Sequence, residues 1–305
     1  MPDLYRDGFA LRHGYPFTCR ARHATRSEGD SRQSRFMNIQ VGFVETAAGA
    51  IHLARCGAGE PVLLLHQTPR SWDEYREVLP ILGAHVDALA MDTVGYGLSP
   101  PFVDGEPSIE RWADTALALL DTLGIAQVSV VGHHTGAVIG MEMAARAPQR
   151  VKALVLSSCP MVDAQRRAHH GDRPVVDGVV RRSDGGHLLE LWRMRAPFYP
   201  SGDVNLLERF LMDALRAGER AADGHRVVNR YCMETRIGLV RCPTLVIGAS
   251  EDPHAFPAMS RVADAIAGSR QLSIAGGMVP LPDQMPDAFA QAVMNFLRAE
   301  AGVIS

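Results

Sequence analysis

Residues 128–137 read Val128-Ser129-Val130-Val131-Gly132-His133-His134-Thr135-Gly136-Ala137. A valine-rich run enters a turn flanked by two glycines, and Val138–Ala147 then follows with a helical pattern. Glycine tolerates close backbone approach, so the stretch predicts a strand, a tight turn and a helix folded back on the strand. A helix that starts there leaves its first N–H groups unpaired and able to face a negative oxygen. His134 stands at the middle of the turn.

On either side the chain alternates short apolar runs with amphipathic stretches, the pattern of an α/β sheet with crossover helices. Strands are predicted at Ile51–Cys56, Val62–His66, Val86–Met91, Val128–Val131, Val151–Ser157, Thr244–Ile247 and Gln271–Ala275. Several are continuously apolar, as strands covered on both faces are. Trp112, Ala116, Leu119, Leu120 and Leu123 form one helical stripe that Gly124 closes, and Phe289, Val293, Phe296 and Leu297 form another.

Between Cys159 and Arg241 the rhythm changes: no strand is evident, and helical stretches at Gly186–Met194 and Asn205–Leu215 are interrupted by prolines. Residues 161–240 are therefore expected to form a helical cap on a core made of 37–160 and 241–305. The cap's thirteen arginines nearly balance its eleven acids, which suggests a solvated face rather than a basic binding surface. Its apolar residues, Trp192 among them, suit either a ligand cavity or the cap's own packing. Residues 1–36 carry seven arginines and four acids without periodicity, and are expected to be a disordered tail. No apolar run marks a secretory signal before Met37.

Composition narrows the function. With 305 residues, 47% hydrophobic and 21% charged, the chain is long enough to bury a core unaided. A net charge of −3 gives no general attraction to nucleic acid or anionic lipid, and no membrane partner is expected. The five cysteines are scattered, with no C-x-x-C pair, and read as reduced thiols of a cytoplasmic protein. No histidine cluster has metal-ligand spacing, so neither metal nor other cofactor is expected.

The 128–137 segment resembles the nucleophile elbow, G-x-S-x-G, of the cap-bearing α/β-hydrolase superfamily. Three further blocks fall in that family's order. Val62–Leu65 with His66-Gln67-Thr68-Pro69 looks like its strand and H-G-x-P loop; Asp92-Thr93-Val94-Gly95-Tyr96-Gly97-Leu98-Ser99 matches its D-x-x-G-x-G-x-S turn; Thr244–Ile247 with Gly248-Ala249-Ser250-Glu251-Asp252 matches the strand and turn that deliver the triad acid. The resemblance implies a mostly parallel eight-stranded sheet with helices on both faces. It also implies that the Gln67 and Thr135 N–H groups form an oxyanion hole, and that Asp252 is the acid.

Two departures change the chemistry. The position of the nucleophilic serine holds His134, and that of the triad histidine holds Met278, whose thioether cannot shuttle protons. His134 is then base, nucleophile or pocket filler, with Asp252 as its partner. The expected substrate contacts are His66, Arg70, Trp192 and Met278, with Arg70 either gripping a ligand anion or held in a surface salt bridge. His254 and Cys159 are further residues near the site, each with an inert alternative. Two functions remain open: a hydrolase, or proton-abstracting enzyme, acting on a small carbonyl compound, and a non-catalytic binder of small molecules.

Overall fold

The structure is a computed structural model that describes residues 38–170, 176–300 and 302. The expected tail, 1–36, lies outside the described residues. Eight strands form one sheet: β1 (Gln40–Thr46), β2 (Gly49–Gly57), β3 (Pro61–Leu65), β4 (Asp87–Met91), β5 (Val128–His133), β6 (Val151–Ser157), β7 (Thr244–Ala249) and β8 (Arg270–Ile274). Their order across the sheet is β1-β2-β4-β3-β5-β6-β7-β8. Only β2 runs against its neighbours. β1 escaped the sequence reading because it is an edge strand with one buried residue, Val44, and so lacks a continuous apolar run.

The central strands bury both faces, and their side chains alternate between two cores. Leu63 and Leu65 pack on one side with Trp112, Leu119 and Val138, while Val62 and Leu64 pack on the other with Leu79, Phe289 and Val293. The first layer belongs to α2 (Ile109–Thr122) and α3 (Thr135–Arg146), and the second to α1 (Val78–Gly83) and α10 (Pro286–Glu300). The N-terminus of α2 is capped by Ser108, whose hydroxyl accepts from Arg111 N–H at 3.2 Å. Two short helices, α8 (Met259–Asp264) and α9 (Leu281–Gln284), complete the C-terminal half.

Between β6 and β7 the chain forms α4 (Ala164–His170), α5 (Gly186–Arg195), α6 (Val204–Ala217) and α7 (Asp223–Arg230). Leu191, Phe210 and Val227 of this helical insertion are buried in the same core as α2 and α3. Three ties to the central strands' face are polar. Glu142 of α3 accepts from Tyr231 Oη at 2.5 Å and from Arg236 Nε at 2.9 Å, and Tyr96 Oη donates to Arg220 O at 3.1 Å.

Candidate active site

The turn between β5 and α3 holds His134 at φ 47°, ψ −111°, a left-handed conformation that is uncommon outside glycine. The adjoining glycines supply room. A Cβ on Gly136 would lie 1.9 Å from the Leu65 carbonyl oxygen, and one on Gly132 would lie 2.2 Å from the Gly136 carbonyl oxygen. His134 N–H donates to Ser157 O on β6 at 3.0 Å, and its own carbonyl accepts from Ala137 and Val138. The backbone is thereby fixed while the imidazole projects into a cavity.

Asp252 follows β7. Its Oδ1 accepts from the His254 N–H at 2.9 Å and the Ala255 N–H at 3.3 Å. Its Oδ2 lies 2.9 Å from His134 Nε2, an ion-pair separation, but off the direction of a proper hydrogen bond. Burial would raise the Asp252 pKa, yet His134 and the His254 N–H outweigh it and hold the carboxyl well below its ordinary range. The two residues expected to pair are thus brought together.

His133 serves a different purpose. It is fully buried, with Nδ1 2.9 Å from Ser157 Oγ and Nε2 2.8 Å from the Val279 carbonyl. Burial, reinforced by neighbouring His134, pushes its pKa down to about 3, so the ring is neutral. With Nε2–H donated to Val279, the neutral ring accepts at Nδ1 from Ser157. This clamps the loop after β8 against the elbow. Met278, beside that clamp, is half-buried and does not line the cavity, against the expectation; its N–H donates to Gln284 Oε1 at 2.7 Å.

The loop after β3 corrects three expectations. The Gln67 N–H is not available to a substrate oxygen, because it donates to Glu74 Oε2 at 2.8 Å while the Gln67 side chain donates to Oε1 at 2.6 Å. The next residue, Thr68, does face the cavity, and its hydroxyl lies 2.9 Å from that of Thr135. His66 is enclosed rather than substrate-facing: Nδ1–H donates to Gln67 O at 2.7 Å and Nε2 accepts from Thr93 N–H at 2.9 Å. Burial lowers its pKa, which suits this neutral tautomer.

Arg70 is 0% exposed and spans three carboxylates. It donates to Asp213 Oδ2 at 2.9 Å, to Asp283 Oδ2, and to Asp73 Oδ2 at 3.4 Å. It holds the loop, α6 and α9 together and cannot grip a ligand anion. Burial of this acid-rich cluster raises the Glu74 pKa to about 8 and the Asp283 pKa to about 6, against the pull of Arg70 on both.

The cavity has a volume of about 680 Å³. Its floor is Gln67, Thr68, His134 and Thr135, and its upper wall comes from α4, α5 and α7. Trp192 is not on this wall; it packs against the core. What lines the wall instead is Arg166, Arg167, Arg195, Arg226 and Arg230, so the insertion's arginines are not simply a solvated face. Their charge balance along the chain hid this, because their acids lie outside the lining. His254 also lines the cavity, its ring 4.5 Å from that of Phe198, and burial brings its pKa down to about 4. Cys159 is buried, which pushes its thiol up to about 12 and leaves it unreactive. Among the described residues no group of three or more His, Cys, Asp or Glu side chains is placed to hold a metal, and no helix is long and apolar enough to cross a membrane.

A strand-turn-helix elbow on a mostly parallel sheet, an acid after the next strand but one, and a cavity above both define an α/β fold with its site at the strands' C-terminal ends. The chain belongs to the alpha/beta hydrolase fold family, whose model matches residues 60–277. Over 121 residues it is 34% identical to the 2-hydroxymuconate semialdehyde hydrolase of Pseudomonas sp. (strain CF600), matching 38% of this chain and 43% of that protein. Over 129 residues it is 32% identical to bifunctional epoxide hydrolase 2 of Rattus norvegicus, matching 41% of this chain and 23% of that protein. The chain thus spans less than half the length of these relatives. Among solved structures, the enol-lactonase from Burkholderia xenovorans LB400 superposes with a TM-score of 0.69 at 21% identity, covering 84% of this chain and 99% of that one. An esterase from Thermogutta terrifontis gives 0.72 at 22% identity, covering 86% and 99%.

Proposed function

We propose that this protein hydrolyses a small ester or lactone with His134 as general base. The observation that carries the reading is the imidazole at the elbow, 2.9 Å from the buried Asp252 carboxylate. Since Nε2 is turned to Asp252, Nδ1 is left to take a proton from water. The hydroxide so formed adds to the substrate carbonyl, and the N–H groups of Thr68 and Thr135 hold the oxyanion. Collapse of the tetrahedral intermediate returns the proton to the departing alkoxide and yields acid and alcohol. Proton abstraction next to a carbonyl would use the same base. The relatives support chemistry of this kind, since one is named a semialdehyde hydrolase and a structural neighbour an enol-lactonase. The off-axis His134–Asp252 contact is the one feature that favours the alternative, a binding protein that has lost turnover.

The test is turnover of phenyl acetate and dihydrocoumarin by the intact protein and by His134→Ala. Loss of a positioned base lowers kcat by about 10² to 10⁴. His134→Ser is expected to stay equally slow, because Met278 leaves that serine without an imidazole. Equal rates in the intact protein and His134→Ala would remove His134 from the chemistry. Silence of the intact protein toward every ester and lactone, combined with saturable ligand binding, would make it a binder.

A further inference from the structure

The cavity above His134 is cationic in a way the proposed reaction does not require. Among the described residues that line it, five are arginines and none is aspartate or glutamate. Most of these guanidiniums are already engaged: Arg167 donates to Glu234 Oε2 at 2.9 Å, Arg195 to Asp177 Oδ1 at 2.6 Å, and Arg226 to Asp223 Oδ1 at 2.6 Å. Arg166 differs. Its Nε donates to Asn229 Oδ1 at 3.2 Å, a neutral partner on α7 that also lines the cavity. Neither of its terminal nitrogens meets a carboxylate among the described residues, and burial lowers its pKa from the ordinary value. Its neighbour Asp163 is taken by Arg261 and by the Arg166 backbone N–H. Asp163 favours the Arg166 charge only from beyond ion-pair distance; a half-buried guanidinium without a direct ion pair is costly, and a ligand anion would supply that pair.

We propose that Arg166, held in place by Asn229, binds a carboxylate of the substrate, so that the preferred substrates are half-esters or lactones that carry a free acid group. Arg230, at the rim of the same cavity and without an ion pair among the described residues, adds to the attraction. The substrate is then held at two points, its acid end at α4 and its ester carbonyl over the elbow. This inference rests on the hydrolase reading only for the word substrate; the anion site stands independently of turnover.

Two measurements separate the two claims. The first is calorimetric binding of the diacids from succinate to suberate, each compared with its uncharged diamide. At least one diacid is expected to bind 10- to 100-fold more tightly than its diamide, the range that one charge-assisted contact supplies. Arg166→Gln is expected to erase that preference, and Arg182→Gln, outside the cavity and paired with Glu190 at 3.1 Å, to change it less than threefold. The second is kcat/KM for the monomethyl esters of the same acids against their dimethyl esters, with a preference of similar size for the charged form. Equal binding of diacid and diamide by the intact protein, or no binding of either, overturns the anion site whatever the variants do. Selective diacid binding with no turnover of any ester keeps the site and ends the hydrolase reading; ester turnover with no selective diacid binding does the reverse.

Discussion

Replacing Arg70 by alanine tests how the site is supported. The guanidinium is fully enclosed and serves Asp213 and Asp283, whose side chains are 5% and 0% exposed. Its removal leaves two buried carboxylates short of their main counter-charge, and breaking one buried ion pair costs about 3–5 kcal/mol. Some of that is recovered, because Asp283 keeps Arg209 at 3.0 Å and Asp213 keeps the Ser71 hydroxyl at 3.0 Å. The expected loss is therefore about 4 kcal/mol at pH 8. For a chain of this size that lowers Tm by about 8–16 °C. Arg70→Met, which keeps most of the volume, should lose nearly as much if charge rather than packing is responsible. The loss should also shrink toward pH 5, because Asp283, already raised to about 6 beside Arg70, takes up a proton still more readily without it. Urea denaturation followed by circular dichroism at both pH values gives the numbers. A loss below about 1 kcal/mol, or one that is the same at pH 5 and pH 8, would refute the assignment of Arg70 as the keystone of a buried charge cluster.

Two further outcomes follow from the same region. Because burial raises the Glu74 pKa from 4.5 to about 8, the folded protein keeps a proton that the unfolded chain releases, so stability should be greatest below pH 4.5 from this group and decline as the pH rises to about 8. Glu74→Gln should flatten that decline in denaturation measured across the window, and an unchanged slope would show that Glu74 is ionised throughout. Gly136→Ala drives a methyl to within 1.9 Å of the rigid Leu65 carbonyl and should cost about 1–3 kcal/mol in the same assay; a neutral result would mean that the elbow and β3 are farther apart than described.

Much of the architecture was readable from hydrophobic patterning, because a buried strand such as β3 is a continuous apolar run and α2 has a single stripe. β1 was not, since an edge strand needs few apolar residues. At the site, the legible residues were those tied to a turn of defined shape: His134 at the elbow and Asp252 after β7. Gln67 and Arg70 were misread for one reason. Each lies in the expected loop, but a backbone N–H or a guanidinium points wherever its partner is, and Glu74, Asp213 and Asp283 are contributed by other elements. The arginine-lined wall escaped for a related reason, because charge counted along a segment says nothing about which side of a helix carries it.

The left-handed backbone at residue 134 also governs how this scaffold can be repurposed. The turn is built by Gly132, Gly136 and the bond to Ser157, none of which involves the residue's own side chain. Branched side chains such as valine, isoleucine and threonine are strongly disfavoured at such a φ. A library randomised at this one position would therefore be filtered by the backbone before any substrate is offered, losing its β-branched members first, so the fold itself restricts which side chains can be tried at the floor of the cavity.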